Sequence, residues 1–153
     1  MFNKASYLAV IGCLIAVLAV VTLQQDLPMG PAVILLGVLP VVGLLVAGRS
    51  LRGALPDLLF GAIDTGLLTI PALWGGVVFG VTGAIAGGVI GDALTDGVAG
   101  FFEGTTAQWL RNKGIESARE PVTTALGKMA GCLLGAGLVL TIASLLGITL
   151  SVA

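Results

Sequence analysis

The sequence predicts an all-α integral membrane protein: a bundle of about five transmembrane helices, the third short or re-entrant, the fourth and fifth striped with glycine. Three observations carry this expectation. Hydrophobic residues make up 57% of the chain and charged residues only 10%, with a mean hydropathy of +1.11, whereas a water-facing surface calls for about 25% charged residues. Apolar stretches recur at close to the roughly 20 residues that an α-helix needs to cross a bilayer. Threaded as five crossings, those stretches leave every basic residue on one side of the membrane.

The first span is read over residues 5–23, after Lys4. It is longer than the ~7–15 residues of a secretory signal core, and no small-residue cleavage site follows. Val10-Ile11-Gly12-Cys13 resembles a lipoprotein cleavage box, but the apolar run continues past Cys13, so the segment is read as a retained span. Gln24, Gln25, Asp26 and Pro28 separate it from the second span, residues 30–47, which Arg49 and Arg52 close. The third, residues 54–72, is the least apolar and contains Asp57 and Asp64. Pro71, Gly75 and Gly76 around Trp74 then read as a tight turn with an interfacial tryptophan. A fourth span of Gly, Ala, Val and Ile covers residues 75–98, and a fifth covers residues 126–152. Between them, residues 101–121 are too polar to span. Phe101, Phe102 and Trp109 suit the headgroup level there, with Arg111 and Lys113 facing anionic lipid.

Charge supports the count independently. Lys4, Arg49, Arg52, Arg111, Lys113, Arg119 and Lys128 share one side in this arrangement, and the opposite loops hold Asp26 and no cation. The positive-inside rule then sets the N-terminus in the cytoplasm and the C-terminus outside, in a multi-pass protein of the cell (inner) membrane. A single crossing over residues 54–98 would move Arg111, Lys113, Arg119 and Lys128 outside, while a re-entrant hairpin preserves the parity.

Several function classes drop out. Seven basic and eight acidic residues nearly cancel, so no basic field invites nucleic acid. The absence of histidine removes the commonest general base and metal ligand. Cys13 and Cys132 have no metal spacing and read as small packing residues. No cofactor, metal or catalytic constellation is expected.

Two features remain. The fourth span holds two glycine series at four-residue steps: Gly83, Gly87, Gly91, and Gly76, Gly80, Ala84, Gly88, the latter running on into Asp92 and Asp96. The fifth repeats the device with Gly127, Gly131 and Gly135. Residues four apart share one helix face, and small faces of this glycine-zipper kind let helix backbones approach closely in lipid. Tight packing between the fourth and fifth spans, within one chain or in a homo-oligomer, or docking against other membrane proteins, accounts for them; the functional alternative is a narrow path lined by backbone carbonyls.

The second feature is the carboxylates. An aspartate at the centre of a spanning helix costs ~2.5–3.5 kcal/mol on insertion scales and marks ion or proton pathways. Asp64 lies midway along the third span. At ~1.5 Å per residue, Asp92 reaches a similar depth in the fourth, so an antiparallel hairpin is expected to bring them together. Thr65, Thr69 and Thr95 add hydroxyl ligands, an oxygen-only set suited to protons or hard cations. Asp96 lies one turn nearer the basic side, at the headgroup level or paired with Arg111 or Lys113, while Asp57 and Glu103, near span ends, read as solvated.

The stretch from Gly88 through Asp92 to Asp96 fits GxxxDxxxD and resembles the second half of the motif of CDP-alcohol phosphatidyltransferases. That family also needs DxxDGxxAR immediately upstream to hold its metals, and here that stretch is glycine and alanine. The metal site is not assembled. The reading that remains is a channel- or carrier-like protein passing protons or a small cation through Asp64 and Asp92. The alternative is a non-catalytic assembly subunit that docks through its glycine faces.

Overall fold

A computed structural model describes residues 2–25, 27–112 and 120–148. Those residues are almost wholly helical, in four helices: α1 (Phe2–Gln24), α2 (Met29–Val46), α3 (Leu51–Asn112) and α4 (Pro121–Leu145). All four contain stretches long and apolar enough to cross a membrane. Their outward faces carry Val17, Leu35, Val81 and Leu145, each more than half exposed, an outside that suits lipid.

Local chemistry sets the ends. After α2, Gly48 takes φ +69°, and the Arg49 amide donates back to the Leu44 carbonyl at 3.0 Å. This is a left-handed glycine cap, which uses the missing Cβ to satisfy otherwise orphaned carbonyls. Gly147 does the same after α4, with φ +76° and the Ile148 amide donating to Ala143 at 2.9 Å. The last helix therefore ends at Leu145, short of the expected 152. It also begins earlier than expected, because Pro121 stands at its start, where a missing N–H costs nothing.

The third element departs most from expectation. The helix runs through Pro71 and the residues read as a turn, and breaks instead at Gly80. There φ is +65° and ψ is −151°, a region essentially reserved for glycine. The chain reverses at this point. A methyl group added at Gly75 would meet the Gly83 carbonyl, one at Gly87 would meet the Pro71 carbonyl, and one at Gly91 would fall 3.1 Å from the Leu68 Cα. In one straight helix, residues 71 and 87 would stand about 24 Å apart at ~1.5 Å per residue. As one partner's number falls the other's rises, so residues 51–79 and 81–112 form two antiparallel limbs. The first limb is neither short nor broken at Pro71, and the polar stretch read as an interfacial segment continues the second limb in helix as far as Asn112. Phe102, Trp109, Glu103 and Arg111 lie in that helix with side chains outside the description; Asp26, Lys113 and Arg119 lie outside the described residues altogether.

An alanine at Gly80 would strain this reversal by about 1–3 kcal/mol. Gly97, whose added methyl would meet nothing within 4 Å, supplies the control. Thermal unfolding in detergent should show a lower midpoint for Gly80→Ala and none of that loss for Gly97→Ala.

Helix α4 stands between α2 and α3, and α1 packs mainly on α2. Gly127 lies against Ala54, Gly131 against Leu58, and Gly135 against Ala62. These numbers rise together, so α4 runs parallel to the first limb. Gly30 lies against Thr141 and Gly37 against Leu134, so α2 runs antiparallel to α4. Ile11 and Tyr7 meet Gly43, and the Tyr7 hydroxyl donates to the Gly43 carbonyl at 2.6 Å. One end of the bundle is tied by charge: Glu120 accepts from Lys4 at 3.1 Å and pairs with Arg49. This gathers the starts of α1 and α4 and the α2–α3 link at a single basic end. Beneath it lies a core of Ile11, Leu44, Ala54, Val122 and Leu126.

Candidate functional site

The two limbs of α3 do not close along their whole length. Glycine at 75, 83, 87 and 91 lets them touch near the reversal, but toward the basic end larger side chains hold them apart. The result is a half-open cleft of about 440 Å³. Phe60, Ile63, Asp64 and Leu67 line it from the first limb, Leu94, Thr95, Val98 and Ala99 from the second. Spacings of three and four place each set on one helix face.

Asp64 is the one charged side chain on this wall. It stands at the middle of the first limb, about 20 Å along the helix from Leu51 at ~1.5 Å per residue. Its Oδ1 is buried and has no hydrogen-bond partner among the described residues. A buried polar atom left in that condition is costly and calls for an explanation. Across the cleft, the Thr95 hydroxyl donates to the Asp92 carbonyl at 3.1 Å, which leaves its oxygen lone pairs free to accept. At the basic end of the cleft, the Lys128 ammonium lies 4.8 Å from the centre of the Phe60 ring, a cation–π contact.

The other carboxylates are arranged differently from the expected pair. Asp92 and Asp96 are exposed on the outer face of the second limb, and neither lines the cleft. Depth alone would have matched Asp92 to Asp64, but Gly91 is the residue turned toward the first limb, and the next residue is rotated away from it. Thr65 is half-buried, and its carbonyl accepts from Thr69 at 2.6 Å. Asp57, expected to be solvated, is only 5% exposed, with its Cβ against Gly127. Hydropathy placed it at a span end, but the helix begins at Leu51 and α4 covers it. Cys13 is exposed on α1 rather than packed, while Cys132 is half-buried where α4 meets Gly61.

Comparison with protein-family models, with curated proteins and with solved structures gives no match. Function therefore rests on the chemistry of these side chains. Among the described residues, no three His, Cys, Asp or Glu side chains gather to hold a metal ion.

Proposed function

We propose that this chain is a small carrier- or channel-like protein of the cell (inner) membrane that passes protons, or a small cation, by way of Asp64. The observation that carries this reading is the unpartnered Oδ1 of Asp64, buried on the wall of a cleft between two apolar helices. Intramembrane carboxylates are costly to insert and recur in ion and proton pathways. A proton needs only the carboxylate. A hard metal ion calls for six or more oxygens, and among the described residues the cleft's side chains offer Asp64 and Thr95. Flux into liposomes by the purified protein, with Asp64→Asn as the decisive variant, tests the reading.

The membrane arrangement belongs to the same proposal. Reversal at Gly80 makes two crossings of α3 and five in all, with the basic end in the cytoplasm by the positive-inside rule. The N-terminus is then cytoplasmic and the C-terminus external. Reporters fused at Ser117 and Ser151 should sit on opposite sides of the membrane. Finding both on one side would contradict the five-crossing arrangement.

A second reading, a structural subunit of a homo-oligomer or a larger membrane complex, draws on Asp92 and Asp96. Both are exposed on an outer face otherwise made of residues such as Val89 and Ile85. Gly91 packs at the level of Leu68, so Asp92 lies near mid-limb, where a carboxylate turned to hydrocarbon is costly. A neighbouring chain with polar or basic residues would cover that face. This reading predicts no flux.

A further inference from the structure

We propose that the α3 cleft binds a lipophilic monocation, an ammonium or phosphonium whose single charge meets Asp64 and whose hydrocarbon body fills the space between the limbs. The inference rests on the reading of Asp64 as a translocation site and names the class of cargo that site would take.

Charge and shape argue together. The cleft is walled by Phe60, Ile63, Leu67, Leu94 and Val98, and its volume of about 440 Å³ falls in the range of sites for small organic ligands. Such walls offer nothing to a hydrated metal ion, which would have to shed its water for one carboxylate and one hydroxyl. They suit a cation already sheathed in hydrocarbon. One carboxylate on the cleft wall supports one positive charge, and burying that charge without a partner would be prohibitive. An anion of the same shape would meet Asp64 with like charge. Lys128 refines the placement. Its ammonium occupies the Phe60 face at the basic end, so it repels a second cation there and favours a charge seated deeper, at Asp64.

The probe is tetraphenylphosphonium, and the control is tetraphenylborate, of similar shape and opposite charge. Equilibrium binding to the purified protein in detergent needs no gradient and so reads the site separately from flux. Wild-type protein should bind the phosphonium saturably and prefer it to the borate. Asp64→Asn should weaken phosphonium binding at least about tenfold, as expected for losing one charged contact. Leu94→Trp enlarges a cleft-lining side chain on the facing limb, 67% exposed at the half-open mouth, and should also reduce binding while keeping the carboxylate. Lys128→Gln should tighten it. Equal binding of phosphonium and borate, or unchanged phosphonium binding in both Asp64→Asn and Leu94→Trp, would overturn the proposal and leave a groove filled by lipid tails. Should Asp64→Asn lose its helical circular dichroism, Leu94→Trp decides alone. Proton flux without saturable phosphonium binding would sink this inference and spare the translocation reading; binding without flux would do the reverse.

Discussion

Gly131→Leu should prevent α4 from docking on α3, and Gly87→Leu should do the same to the two limbs of α3. At Gly131 even a methyl group would meet the Leu58 carbonyl and fall 2.9 Å from the Ala62 amide nitrogen. At Gly87 it would meet the Pro71 carbonyl. Both obstacles are backbone, which no rotamer change can clear, so the helices must move apart. Hydrophobic burial does not hold helices together in lipid, and separation forfeits the close contacts that do. Overpacking a dense contact costs about 1–3 kcal/mol and sometimes more; a leucine against backbone belongs at or beyond the top of that range. Leu145→Ala should change stability by no more than about 0.5 kcal/mol, because that side chain is 82% exposed at the end of α4. Thermal unfolding in detergent should show a large drop in midpoint for both glycine variants and almost none for Leu145→Ala. Wild-type midpoints in the glycine variants would mean that these helices do not meet through their glycines.

Legibility from sequence was uneven, for physical reasons. Apolar length located α1 and α2 closely, because insertion depends on summed hydropathy, which a linear pattern carries. It misplaced the reversal in α3, because Pro71 and Gly75-Gly76 carry the punctuation of a turn. Proline is tolerated within membrane helices when neighbours satisfy the freed carbonyl, and the break needs a residue at positive φ, which Gly80 supplies. Nothing in the local sequence ranks Gly80 above Gly76. The carboxylates show a related limit. Counting along the helices fixes depth, but whether two side chains meet also depends on rotation, which the contacts of Gly91 and Pro71 decide. Asp64 was singled out by its position in an apolar run, and the cleft it lines needed the register of the second limb. The burial of Asp57 is not legible locally, because the face that covers it belongs to α4, seventy residues away in sequence (Gly127). The contacts of α2 with α4 through Gly30 and Gly37 leave no periodic signal, because those glycines do not recur at a four-residue step.

Asp64→Asn should leave the protein folded and abolish flux. The amide keeps the volume and removes the charge, so the shape of the cleft wall it shares with Phe60 and Leu67 is retained. An ionised structural partner would behave differently: removing one member of a buried pair costs 3–5 kcal/mol, roughly, because the other charge is stranded. Among the described residues Asp64 Oδ1 has no hydrogen-bond partner, and the Lys128 ammonium sits on the Phe60 ring at the basic end of the cleft. Folding therefore has little to lose from the substitution, and translocation stands to lose the only carboxylate that, among the described residues, lines the cleft. The most direct measurement is proton flux in liposomes under an imposed potential, with pure wild-type protein and Asp64→Asn reconstituted in equal, correctly folded amounts. The account predicts a flux well above that of empty liposomes for the wild type and none above it for the variant, with matching unfolding midpoints. Equal flux from both proteins, or none from the wild type, would contradict it.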